Sequence, residues 1–396
     1  MSFLFREKLR HRLPELMRRH QIDCWLTLTR ELAPDPMADL LGLSGAGVAA
    51  GVFVQDGDRV HALALGSVLD AALLKESGVY DEVRCPSEPL PKAVADIAKS
   101  FGAQRVAVNS AEPALADGLS HNRYVAVAQA LREVGLPEPC SSVDIITDLR
   151  CTKSPEEIEA LREAARLSHE LMMEALSAKH IQPGRTTERE IASRLLSRAR
   201  EEGLTPSWSP AFCPIVSSGE TREHAAPSPT VRVEPGHIVI IDFGVKVQGY
   251  GADLQRCAYV AKRTEDSPPE WVLRLFETCR TGIDIGLEAV RPGVVAGDVD
   301  RVVREYVLSQ GYPDYPNATG HPIGLVVHEI GPMIAPKKEG RTAQALEVGQ
   351  VFTMEPSVYR SLEHPDRVRI GLEEDFVVTA RGAEVLSPRQ TELIVL

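Results

Sequence analysis

The sequence predicts a two-domain α/β protein, and three observations predict it. At 396 residues the chain exceeds the roughly 250–300 residues over which a single hydrophobic core keeps growing. Its first 150 residues alternate short apolar runs with helix-like spacing. From residue 151 to 396 a pattern of helix, helix and strands is written twice.

The chain opens on an Arg-rich stretch to His20 that reads as the solvated face of a helix. It has no apolar h-region, so no secretory signal is expected. Cys24–Thr29, Gly51–Gln55, Val60–Leu65 and Arg105–Asn109 read as strands. Pro91–Phe101 and Tyr124–Val134 carry helical spacing. The glycines of Gly42–Val48 lack the Gly-Lys-Ser/Thr ending of a phosphate loop and the full dinucleotide fingerprint, so a plain turn is expected.

A boundary falls near Asp148–Ser154, which makes 1–150 one domain and 151–396 the other. Ser154 and Glu157 form a capping box, with Pro155 at the first helical position. The helix they open carries Ile158, Leu161, Ala165, Leu171 and Leu176 close to one face. Gln182-Pro-Gly184 then precedes a capped helix over Thr187–Glu202, stopped by Gly203. Arg291-Pro-Gly293 precedes its counterpart, near Asp298–Gln310, stopped by Gly311. In each repeat a glycine begins an apolar strand and an acid stands six residues after it: Gly236 with Asp242, Gly349 with Glu355. A pseudo-twofold of this kind draws Asp242 and Glu355 toward its axis.

Composition sets outer bounds. Hydrophobic residues make up 43% and charged residues 25%, as in folded, water-soluble proteins. A net charge of −12 disfavours sequence-independent nucleic-acid binding, which rests on neutralising phosphates. No apolar run approaches the ~20 residues that span a bilayer, so no membrane partner is expected. The seven cysteines are scattered, odd in number and never spaced Cys-x-x-Cys. That spacing argues against a disulfide framework or structural zinc and for reduced thiols in the cytoplasm.

Acids stand where apolar strands would exclude them. Asp242 ends the run Ile238–Ile241, and the returning segment carries Asp253. A turn about residues 247 and 248 would set Asp242 across from Asp253, with Cβ atoms ~5 Å apart. Two unpaired buried carboxylates cost several kcal/mol. A metal cation removes that cost, and a shared proton is the other solution. The second repeat adds Glu355 and Glu373, and Gly320–Glu329 adds His321 and His328. Alternation along the strand sends Glu373 and Glu374 to opposite faces. Four carboxylates and one imidazole form an oxygen-rich set that suits manganese, cobalt or iron at least as well as zinc. Two such ions would lower the pKa of a shared water toward neutrality.

On these spaced residues, Asp242, Asp253, His321, Glu355 and Glu373, the sequence resembles the pita-bread metallopeptidases: prolidase (Xaa-Pro dipeptidase), aminopeptidase P and methionine aminopeptidase. The resemblance covers about 150–396. It implies a C-terminal catalytic pita-bread fold of duplicated helix-helix-strand units. It also implies an N-terminal creatinase/prolidase-like α/β domain serving as lid, dimerisation or specificity element. Two divalent ions, manganese first with cobalt or zinc as alternatives, would be held by the five residues. Glu355 would also act as general base, and His328 and His224 would be catalytic and contact substrate. Six residues before Thr379 is the family's ligand position, which selects Glu373 over Glu374. Pro322 replaces the usual glycine after His321. Gly371 stands where an arginine is common in proline-specific members, so Arg369 or Arg367 is the candidate for the substrate carboxylate.

The N-terminal domain separates the chain from methionine aminopeptidases, which mostly lack one. The resemblance therefore implies hydrolysis of the bond before proline, in an Xaa-Pro dipeptide or short peptide, by a homodimer. Aminopeptidase P action on longer peptides is the alternative. Creatinase, ectoine hydrolase and dimethylsulfoniopropionate lyase resemble the same fold, and creatinase does not keep the full ligand set. A metal-free binding module would lose ligands, and none of the five is lost. His61, His121, His169, His180, His237 and His364 show no partner pattern, and Trp208 and Phe212 suit a proline pocket or ordinary packing equally.

Overall fold

In the computed structural model, residues 3–220, 222, 225–336, 340–363 and 367–396 are described. The chain divides into two compact units, Met1–Arg150 and Cys151–Leu396.

Unit 1 is built on a mixed sheet. Its strands are β1 (Cys24–Arg30), β2 (Val48–Asp56), β3 (Arg59–Leu65), β4 (Glu82–Arg84), β5 (Val106–Val108) and β6 (Cys140–Ser141), in the order β4-β3-β2-β1-β5-β6. Helices α1 (Phe3–Arg19), α2 (Ala71–Glu76), α3 (Leu90–Ser100), α4 (His121–Glu133) and α5 (Val143–Cys151) accompany it. β1, β2 and β3 form an antiparallel meander, whereas β5 and β6 add in parallel. Leu26, Leu28, Val52, Val54 and Leu63 from the strands pack with Val94, Ile97, Val127 and Leu131 from α3 and α4.

Unit 2 carries the duplication. Its first half comprises α6 (Pro155–Ala175), α7 (Glu188–Glu201), β7 (Thr205–Pro206), β8 (Ile215–Ser218), β9 (Ile238–Phe243), β10 (Val245–Val247), β11 (Tyr250–Gly251) and β12 (Leu254–Tyr259). The second comprises α8 (Glu270–Ala289), α9 (Ala296–Ser309), β13 (Val351–Met354), β14 (Ser357–Tyr359), β15 (Arg369–Gly371), β16 (Glu374–Thr379), β17 (Gly382–Val385) and β18 (Ile394–Val395). Ser154 and Thr187 each close a reciprocal capping box, with Glu157 and Glu190, so α6 and α7 begin where their sequences say. By contrast α9 starts at Ala296, with Val295 at its cap and no side-chain cap bond. Two cores result, and the second also takes in Ile238 and Ile240 of β9 and Cys257 and Tyr259 of β12. Leu171, Met172, Ile191 and Leu195 pack on Val239, Ile241 and Leu254. Val272, Phe276, Val299 and Val303 take the corresponding places, three of them packing with Phe352, Met354 and Phe376.

The central hairpin corrects the expected register. Gln248 and Gly249 hold φ of 52° and 90°, so the tight turn occupies 248 and 249 rather than 247 and 248. Positive φ at both central positions matches the twist of the flanking strands, and glycine adopts it without strain. Moving the turn by one residue moves the register by two. Asp242 therefore lies opposite Gln255, not opposite Asp253. Asp253 keeps the same face two residues along, within diagonal reach of Asp242.

Candidate metal centre

Three segments build the site, and each is locked from behind. The β9–β12 ladder carries Asp242, Asp253 and Gln255. Segment 315–321 is clamped by Arg304 of α9, whose guanidinium donates to the Tyr315 carbonyl at 2.5 Å and the Asn317 carbonyl at 2.6 Å. Arg304 is itself held by Asp300 at 2.9 Å, and Asp300 accepts from Thr319 Oγ1 at 2.6 Å. His321 and Glu355 are then set against one another by backbone bonds. Thr353 N–H donates to the His321 carbonyl and Glu355 N–H to the Thr319 carbonyl. The third segment runs through β15 to β16. Arg256, fully buried, donates to the Glu373 carbonyl at 2.7 Å and to the Glu374 carboxylate at 2.9 Å. Glu374 thus turns to Arg256 and to Ser387, while Glu373 faces the cavity and accepts from Gln255 Nε2 at 2.9 Å.

The result is a cavity of about 540 Å³ lined by Asp242, Asp253, His321, Glu355 and Glu373 together. Ligand atoms of Asp253, His321 and Glu373, all buried, lie within 4.8 Å of one another. His321 Nε2 is 3.2 Å from Glu355 Oε1 and 3.8 Å from Asp253 Oδ2. Burial pushes the Asp242 carboxyl up to about 7, and the Glu355 charge adds to it, partly offset by Arg369. Asp253 and Glu373 are pushed well above the usual carboxylate range, by burial first and then by the neighbouring carboxylates. Asp242 is half-buried as a residue, but its Oδ1 is closed off from solvent and has no hydrogen-bond partner among the described residues. Crowded acids raised in this way, with an orphaned oxygen among them, fit divalent cations held by oxygen and imidazole.

His328 and Arg369 line the same cavity. The His321 and His328 rings meet edge to face, centroids 4.6 Å apart. Arg369 is buried, and its Nη1 donates to Gln255 Oε1 at 3.1 Å and to Ser357 Oγ at 2.9 Å. Arg367 instead places its guanidinium over the Tyr359 ring, 5.7 Å from the centroid. Trp208, Phe212 and Ile215 give the cavity an apolar wall. His224 and His364 lie outside the described residues.

Gln255, Asn317 and Arg222 are among the lining residues that the sequence did not single out. Gln255 had a signal, since it is the polar residue two along from Asp253 in an apolar strand. Asn317 and Arg222 had none, because only tertiary packing brings their loops to the site. Arg222 also pairs with Glu188, whose buried carboxylate accepts from Ser218 N–H at 2.9 Å. Of the histidines without a partner pattern, His169 accepts from Arg256 Nε at 3.1 Å, and His237 Nδ1 lies 3.0 Å from Ser218 Oγ.

Residues 159–380 match the model of metallopeptidase family M24. The chain belongs to this family. It is a metallopeptidase of the pita-bread fold, and membership brings divalent metal ions with it. Relatives and solved structures agree along the chain. An uncharacterized peptidase of Bacillus subtilis, YqhT, is 27% identical over 360 residues, covering 90% of this chain and 92% of its own. The Xaa-Pro dipeptidase of Pyrococcus furiosus is 31% identical over 254 residues, 63% of this chain and 67% of its own. The structure of an Xaa-Pro dipeptidase from Bacillus anthracis superposes with a TM-score of 0.74 at 25% identity, covering 100% of both chains. An X-Pro aminopeptidase structure from Thermotoga maritima shares the fold, with a TM-score of 0.74 at 24% identity over 96% of this chain and 100% of its own.

Proposed function

We propose that this metallopeptidase is an Xaa-Pro dipeptidase working with two divalent ions, manganese or cobalt before zinc, in a reducing cytoplasm. The observation that carries the reading is the cavity itself. Five ligand-type side chains crowd one part of it, an apolar wall of Trp208, Phe212 and Ile215 supports a ring, and a buried guanidinium supports an anion. None of the seven cysteines is joined in a disulfide, which supports the compartment.

Asp242, Asp253, His321, Glu355 and Glu373 would hold the ions. Bound there, the ions supply Lewis acidity and a water acidified toward neutrality. Glu355 would move a proton from the attacking water to the leaving nitrogen, since its carboxylate reaches the cavity and is only half-buried. His328 donates to the oxygen that becomes negative as the scissile carbonyl is attacked. Arg369 receives the carboxylate of a dipeptide. The apolar wall suits proline for a further reason. The peptide nitrogen is itself part of the proline ring and has no N–H to satisfy, so the wall needs no acceptor there.

Aminopeptidase P action on longer Xaa-Pro peptides is the second reading. Stripping and reconstitution test the metal part of the proposal. Exhaustively chelated protein should lose its hydrolysis of Ala-Pro and recover it with manganese or cobalt. Full activity with no detectable metal would defeat the proposal.

A further inference from the structure

Among the described residues, Gln255 is the one neutral side chain that bonds both to the carboxylates and to the guanidinium of the cavity. It lies across the β9–β12 ladder from Asp242 and is buried. Its Nε2 donates to Glu373 Oε2 at 2.9 Å and to Glu355 Oε2 at 3.3 Å. Its Oε1 accepts from Arg369 Nη1 at 3.1 Å. The chemistry fixes this orientation. A flipped amide would set its NH2 against the guanidinium and its oxygen against two carboxylates.

Gly371 keeps the arrangement possible. A Cβ at position 371 would lie 2.2 Å from Arg369 Nη1 and 2.5 Å from Gln255 Oε1. Any side chain there displaces the guanidinium from the amide. The missing side chain at 371 is therefore the space in which Arg369 docks onto Gln255 and, at 2.9 Å, onto Ser357 Oγ.

We propose that Gln255 is a positioning residue that couples Arg369 to Glu355 and Glu373, so that docking of the guanidinium helps to aim both carboxylates at the metal ions. The proposal rests on the reading of Glu355 and Glu373 as metal ligands. Outer contacts of this kind orient ligating carboxylates, and losing them typically costs roughly 10–100-fold in metal affinity. The coupling has a specific consequence. Gly371 bears no side chain to touch a carboxylate, yet substituting it acts on the ions through Arg369 and Gln255.

The test is calorimetric titration of manganese into stripped full-length protein, with folding checked by thermal melts. Gln255→Met removes both polar ends at similar volume, and Gly371→Ala leaves Gln255 intact but dislodges Arg369. Each single variant should weaken manganese binding roughly 10–100-fold. The double variant should be no worse than Gln255→Met alone, because both changes cut one connection. Unchanged affinity in Gln255→Met would overturn the proposal, as would losses that simply add, while the metal-site reading would stand. Failure of the wild-type protein to take up manganese would instead remove that reading and this proposal with it. Gly371→Ala stands as the independent arm if Gln255→Met does not fold, and wild-type affinity in it would overturn the coupling.

Discussion

His321 and His328 sit edge to face in the cavity, yet they do different work in the proposed reaction. His321 Nε2 lies among the carboxylates, 3.2 Å from Glu355, whereas His328 is largely exposed. His321→Ala should therefore lose metal, and so should Asp253→Asn, which removes a charge from the centre of the cluster. His328→Ala should keep its metal and lose roughly 10²–10³-fold in kcat, as loss of one oxyanion donor does. Metal analysis beside kcat separates the cases, and equal metal loss at both histidines would show the roles to be misassigned. In unit 1, burial pushes Asp35 up to about 6, opposed by hydrogen bonds from Met37 N–H and the Asn109 amide. A carboxyl raised from 3.8 adds stability below its unfolded pKa and loses it as pH rises through about 6. The loss is roughly 3 kcal/mol at most. Thermal melts should show wild type falling more steeply than Asp35→Asn between pH 4 and pH 7, and parallel curves would refute this.

At the scale of elements, α9 holds the His321 segment through one residue. Arg304 bonds to the Tyr315 and Asn317 carbonyls and to Asp300, so Arg304→Met strands a buried carboxylate and frees a loop. A cost of roughly 3–5 kcal/mol is expected. Hydrogen exchange should accelerate over 314–321 beyond the rest of unit 2, and unchanged protection there would mean that the clamp is not what orders the segment. How far elements could be read from sequence depended on whether their signals were local. Ser154 and Thr187 announce α6 and α7 through side chains that cap three residues on. Val295 gives α9 no such mark, and the helix starts two residues before Asp298. The central hairpin was misplaced because Gln248 takes a positive φ unusual for its type, while Val247, expected in the turn, continues the apolar strand. Gly249 was the better guide to the turn. The face of Asp242 and Asp253 survived the error, since a register shift of two leaves alternation intact.

Across the whole molecule, the duplicated half-domains were legible because each repeat writes the same glycine, apolar strand and acid. What the sequence left open was the rest of the cavity. Asn317, Arg222, Trp208 and Arg369 come from separate segments, and only packing joins them. The same limit applies to specificity. Arg369 is buried at the cavity with Nη1 committed to Gln255 and Ser357, which fits an anchor for a free carboxylate close to the scissile bond. At saturating manganese, Arg369→Met should raise KM for Ala-Pro more than it lowers kcat, and an equal effect on both would argue against an anchoring role. The most direct measurement is a side-by-side kcat/KM for Ala-Pro, Ala-Pro-Ala and Ala-Ala on manganese-loaded protein. The proposed function requires Ala-Pro to be cut best, with Ala-Pro-Ala slower and Ala-Ala slower again. Preference for Ala-Pro-Ala would assign the chain to aminopeptidase P action, and equal rates on Ala-Pro and Ala-Ala would contradict proline specificity altogether.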